Sequence, residues 1–213
     1  MRSCRMELIP EVDRCAILVI ELQNDMVHES LVSQKGLGGA LAGQVQRREI
    51  LPRVAGLLAK ARQAGVPVFY INVANRPDVP HPRARIYQIA EKRGPTLMAG
   101  TWGAQTHETV APKPEDFVLE RTLSVDGSHG TALYEILARL RRDQLIVTGI
   151  STTLAVEGLV RASLNRGLEC WVAEDCCASF PHEWHKWSIQ NVLPLLATIT
   201  KAQDLEATLS SPN

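Results

Sequence analysis

Five places where an apolar run stops carry side chains able to do chemistry: Glu21 after CAILVI, Asn75 after PVFYINV, Arg121 closing FVLER, Ser151 to Ala155 after QLIVTGI, and Asp175 after LECWVAE. A carboxylate at the mouth of a buried strand is partly stripped of water, which raises its pKa and suits general acid or base work; a nearby guanidinium pulls the other way. Glu21 and Arg121 could equally form a plain ion pair that locks two strands, since structural networks perturb carboxylates too. In TGISTTLAVEGLVRAS a glycine followed by small hydroxyl residues lets backbone N–H groups at a helix start face a ligand oxygen. Ordinary N-capping by Ser151 or Thr152 would also explain that composition.

These residues need a scaffold that brings strand ends together. CAILVIEL, an unbroken apolar run ending in a charge, reads as a strand buried on both faces of a parallel sheet. Further strands are expected at 67–73, 117–121, 144–150, 168–174 and 197–201. Helices are expected from Ile50 to Gly65, over 84–93, over 131–141, over 152–167 and over 183–195. The stretch QNDMVHESLVSQKGLGGALAG reads as a polar loop, and the tail from Glu206 as frayed. Six strands alternating with helices imply right-handed crossovers and a mainly parallel sheet covered on both sides, with ligands outside the carboxyl ends of the strands. Between Asn75 and Asp116 the periodicity fades, prolines punctuate the chain and Trp102 appears. So long an excursion usually serves as a lid, binding loop or oligomer contact.

The chain of 213 residues shows no repeat or composition shift, so residues 1–213 are taken as a single domain. With 23 basic and 23 acidic residues there is no broad positive field, which argues against nucleic acid as a partner. No run approaches the roughly 18–20 apolar residues of a membrane span, and the start lacks the h-region of a signal peptide. A cytoplasmic protein without membrane partners is the expectation. Cys4, Cys15, Cys170, Cys176 and Cys177 are odd in number and form no CxxC pair, so a reducing compartment and core roles suit them. The six histidines share no ligand spacing with these thiols, and no metal site is expected.

Three segments resemble one family. AILVIELQNDM is similar to the isochorismatase-like (cysteine hydrolase) signature, an apolar strand ending in Asp and followed by Gln-Asn-Asp; Glu21 stands at the Asp position. EDFVLERTLSVDGSHGTAL resembles the stretch bearing the family lysine, with Arg121, or alternatively Thr122, at that position. IVTGISTTLAVEGLVRAS resembles the nucleophile turn and places Ala155 where the cysteine stands, while AEDCCASFPHEWH matches a later strand-Asp-small pattern. The resemblance runs from about Cys15 to Leu205. It implies a three-layer α/β/α, Rossmann-like fold, a non-proline cis peptide at Ile150–Ser151 and a homo-oligomer (dimer or tetramer); no cofactor is expected.

Most such proteins are amidases in which the aspartate activates the cysteine and the lysine assists. Ala155 has no nucleophile to offer. A cysteine-free branch, the true isochorismatases, protonates a vinyl ether from the first-strand acid before water adds, and Ala155 is compatible with that geometry. Arg121 would clamp a substrate carboxylate but is a poor proton donor. The expected small-molecule site therefore holds Glu21, Arg121 and Ala155, with Gln23, Trp102, His129, Ser151 and Thr152 around the substrate. His129 falls near where the family places an aromatic facing the pocket, and imidazole moves protons near neutral pH. Two functions stand: a non-covalent hydrolase of a small carboxylated molecule, or a catalytically silent relative kept for ligand binding or assembly.

Overall fold

The structure, a computed structural model, describes residues 9–92, 94–122 and 124–210. Cys4 lies outside these residues. The strands are β1 (Cys15–Ile20), β2 (Val68–Val73), β3 (Phe117–Arg121), β4 (Gln144–Ile150), β5 (Glu169–Ala178) and β6 (Thr198–Thr200). They form one six-stranded sheet in the order β3-β2-β1-β4-β5-β6, and every pairing is parallel. The helices are α1 (Asn24–Val27), α2 (Leu37–Arg47), α3 (Ile50–Gln63), α4 (Arg85–Glu91), α5 (Leu133–Arg139), α6 (Glu157–Leu164), α7 (His182–Trp187) and α8 (Ala202–Ser210).

Alternation along β1 divides the interior. Cys15, Ile17 and Val19 pack with Val54, Leu57 and Leu58 of α3, Tyr70, and Leu205 and Leu209 of α8. Ala16, Leu18 and Ile20 pack with Phe69, Ile71, Leu133 and Leu137 of α5, and Leu159 and Val160 of α6. Helices on both faces explain why all of β1 and β4 is buried and why these strands read as continuous apolar runs. The expected α/β/α architecture is the observed one. Among the described residues no helix is long and apolar enough to cross a membrane.

From β1 the chain builds the sheet in one direction through β2 and β3, and from β4 in the other through β5 and β6. The loops leaving β1 and β4 therefore diverge at the crevice where open α/β sheets place ligands. Gly149 makes the juncture possible. It pairs with Ile20, its φ is +110°, and a Cβ there would stand 2.1 Å from the Ile20 carbonyl oxygen. Only glycine meets both demands.

Four local expectations are corrected. The supposed polar loop 23–43 contains α1 and the start of α2, which hides behind glycines: Gly36 has φ +101°, and a Cβ on Gly39 would strike the carbonyl oxygens of Gln34 and Leu31. The expected 183–195 helix breaks into α7, a π segment over Ser188–Val192 and a 3-10 turn over Leu193–Leu195. The tail is not frayed at Glu206, because α8 runs to Ser210 with Leu205 and Leu209 buried. β5 does not stop at Glu174. Val147 pairs with Val172 but Gly149 with Cys177, so β5 carries a bulge at that point. Past the bulge the faces exchange parity, with Cys176 in the α3 core and Cys177 in the opposite one.

Candidate active site

At the end of β1 the backbone turns sharply. Glu21 has φ +53°, its N–H donates to Ile71 O at 3.0 Å, and its side chain leaves the strand direction. Arg121, last residue of β3, reaches it across β2: Nη2 donates to Glu21 Oε1, and Nε donates to Ser124 O at 3.1 Å. The two side chains are only 11% and 2% exposed. Nη1 of Arg121 is buried with no partner. Removal from water pushes the Glu21 carboxyl above its ordinary value, and the opposing pull of Arg121 does not cancel this. Thr122, the alternative at the lysine position, is half-buried one residue beyond the strand.

Beside this pair lies the turn after β4. The Ile150–Ser151 peptide is cis, where the resemblance placed it. Thr152–Val156 then forms a π turn in place of the expected first helical turn, and Ala155 is buried among the apolar side chains of the α5/α6 face. Ser151 does not cap with its side chain; its carbonyl accepts from the N–H groups of Leu154 (3.1 Å) and Val156 (3.2 Å). The hydroxyls instead anchor the turn sideways. Thr152 Oγ1 lies 2.8 Å from His185 Nδ1, and Thr153 Oγ1 lies 2.9 Å from Ser179 Oγ.

The other expected site residues divide. Gln23 is fully buried and its amide bonds backbone on two sides: Nε2 donates to Val73 O (2.7 Å) and Ala104 O (2.6 Å), and Oε1 accepts from Val73 N (2.8 Å). It ties the end of β2 to the excursion. Trp102 is 54% exposed and rests edge-on against His28, with ring centroids 4.8 Å apart. His129 is exposed on the loop between β3 and α5. Asn75 Nδ2 donates to Thr96 O at 2.9 Å. Asp175 falls at the bulge inside β5, not after the strand, and accepts from Ala202 N at 2.8 Å at the start of α8.

Two residues outside the expected site, His185 and Asp25, hold it together; the sequence reads His185, with His182, as a structural residue at the start of the last helix, and does not single out Asp25. His185 is 2% exposed, and burial, reinforced by Arg48 and His182, holds its imidazole down at about 3. It closes the gap between the π turn and a cleft of about 500 Å³ lined in part by Arg48, Glu174, His182, Lys186 and Lys201. Asp25 Oδ2 accepts from Leu97 N at 2.7 Å and so pins the excursion over the end of β1. Spacing could reveal neither, since each partner lies far along the chain. The core thiols match expectation: Cys15, Cys170, Cys176 and Cys177 are buried, and burial pushes Cys15, Cys170 and Cys177 up to about 12 and Cys176 further.

An isochorismatase domain model matches residues 15–204. The chain belongs to the isochorismatase domain family. It is the family of hydrolases that the strand-end motifs resemble. An isochorismatase family protein of Escherichia coli O157:H7, YecD, is 25% identical over 173 residues, covering 81% of this chain and 89% of that one. The isochorismatase of Bacillus subtilis (strain 168) is 23% identical over 190 residues, covering 89% of this chain and 56% of its own. Among solved structures, a cysteine hydrolase from Pseudomonas syringae pv. phaseolicola 1448A superposes with a TM-score of 0.79 at 20% identity, covering 94% of each chain. That likeness is one of fold.

Proposed function

We propose that this isochorismatase-family chain is a hydrolase working without a thiol, on a small carboxylated substrate at the mouth of β1, β3 and β4. In this reading Glu21 is the general acid and base, Arg121 clamps an anionic oxygen, and Ala155 takes the nucleophile's place. The buried, unpartnered Nη1 of Arg121 beside a carboxyl biased toward its protonated form carries the reading. Such a group costs about 1–3 kcal/mol unless something accepts from it, and a substrate carboxylate would. Glu21 would deliver its proton to the vinyl carbon of an enol ether, water would add to the resulting oxocarbenium carbon and return a proton to the Glu21 carboxylate, and the hemiketal would then collapse with cleavage of its C–O bond, releasing a carbonyl compound and an alcohol. Gln23 and Thr152 act through the scaffold, whereas His129 and Trp102 would meet substrate at the edge. The reading takes residues 1–213 as one domain of a cytoplasmic homo-oligomer, a dimer or tetramer.

A second reading, an inactive relative serving ligand binding or assembly, is favoured by a specific observation: Arg121 is nearly sealed, with a side chain only 2% exposed. Incubation with isochorismate and with a panel of small amides separates the two. Turnover that disappears in Glu21→Gln supports the first. No turnover of any substrate supports the second. Amide hydrolysis that survives in both Glu21→Gln and Arg121→Ala refutes the mechanism.

A further inference from the structure

Besides the Glu21–Arg121 pair, two segments 78 residues apart bring three ligand-bearing side chains together. His28 Nε2 lies 3.6 Å from Glu29 Oε1, and His107 Nε2 lies 3.3 Å from Glu29 Oε2. The three ligand atoms of His28, Glu29 and His107 lie within 4.8 Å of one another. We propose that His28, Glu29 and His107 form a divalent transition-metal site that clips the loop after β1 to the proline-rich excursion.

The donor set selects the ion. Two imidazoles and one carboxylate suit zinc and its neighbours, while calcium and magnesium favour oxygen donors. Bonds of about 2.0–2.2 Å place tetrahedral ligand atoms roughly 3.3–3.5 Å apart, so the two imidazole–carboxylate spacings already fit, while the full set, spread over 4.8 Å, draws together by about an ångström around the ion. The scaffold is already held: Gln23 bridges to Thr106, and His107 N donates to Leu22 O at 2.8 Å. His107 is buried, Trp102 fences His28, and the Glu29 side chain is 64% exposed, leaving a side open for water to complete the coordination.

The two histidines occupy twin settings, His28-Glu29-Ser30 and His107-Glu108-Thr109. Each Nδ1 accepts at 3.2 Å from the backbone N–H two residues on, capping a short 3-10 turn. In the metal-free protein each Nε2–H therefore points toward Glu29. Loading shifts each ring proton from Nε2 to Nδ1 and frees both Nε2 lone pairs for the ion. On His28 the new Nδ1–H has an acceptor in Ser30 Oγ at 2.8 Å. On His107 it faces the Thr109 N–H, which must turn away.

The test uses the full chain and zinc chloride. After dialysis the protein should retain one zinc more than His28→Gln or His107→Gln, and Glu29→Gln should bind about ten-fold or more weakly. Equal zinc content in all four proteins, checked as folded by circular dichroism, overturns the proposal. Should the variants fail to fold, the wild-type protein decides. Zinc should shift the Thr109 amide resonance and, in a zinc-soaked crystal, give an anomalous peak bonded to both Nε2 atoms and Glu29. A peak elsewhere, or an unmoved Thr109 resonance at one equivalent, refutes the site.

Discussion

His185 should make the protein unstable in mild acid, and the size of the effect follows from its surroundings. In the unfolded chain its imidazole takes up a proton near 6.5; in the native protein burial, Arg48 and His182 hold it neutral down to about 3. Between those values the unfolded state binds one more proton than the native state. Stability therefore falls as pH falls, by at most about 1.4 kcal/mol per pH unit for this one group. From pH 6.5 to 4.5 that limit is about 2.7 kcal/mol, and about 2 kcal/mol is expected because the imidazole borders a solvent-filled cleft. The perturbation is His185→Asn, whose amide can still meet Thr152 Oγ1 but does not titrate. Urea unfolding of both proteins at half-unit steps from pH 7 to 4.5 gives the difference curve, in which shared carboxylates largely cancel. His185→Asn should gain on the wild type by about 2 kcal/mol toward the acid end. Parallel curves would mean that His185 is protonated in the native protein and that the packing argument is wrong.

Other outcomes follow from the rim and the core. Glu21→Gln should leave stability at pH 7 within about 1 kcal/mol of the wild type or raise it, because burial already favours the uncharged carboxyl over the carboxylate; a loss of several kcal/mol in equilibrium unfolding would show that the ion pair, not burial, governs the site. The raised Glu21 pKa adds stability at low pH that is lost as pH rises through its folded value, so this term opposes that of His185 and should vanish from the pH profile of Glu21→Gln. Gly149→Ala, with a Cβ 2.1 Å from Ile20 O and φ +110°, should cost about 3 kcal/mol or more, read as loss of folded protein in thermal melts. Leu205→Ala should cost about 2–4 kcal/mol if α8 completes the α3 core; a loss under 0.5 kcal/mol would return α8 to the status of a loose tail.

The sheet was legible because burial on both faces leaves a plain local mark. Runs such as CAILVI and QLIVTGI are apolar at every position, and their ends give the strand boundaries. The same logic placed Glu21, Arg121 and the Ser151–Ala155 turn at one rim, since parallel strands point their carboxyl ends the same way. Strand ends mislead where a bulge intervenes: LECWVAE gives no sign that β5 continues, so Asp175 reads as the residue after the strand although β5 runs on to Ala178. Glycine likewise hid α2, because its helical tendency is poor and only the close approach of the preceding turn, at the carbonyl oxygens of Leu31 and Gln34, explains Gly39.

What the residues determine alone is the order of strands and helices and the identity of the groups at each strand end, both fixed by local patterns of burial. What only the folded chain decides is partnership. Glu21 meets Arg121 across β2, Thr152 meets the neutral His185, Gln23 spends its amide on two backbones, and His28 comes beside His107. Each contact joins segments far apart in the chain. Its chemistry, whether a proton sits on an oxygen or a nitrogen is free for a ligand, depends on how much water the assembled neighbours exclude.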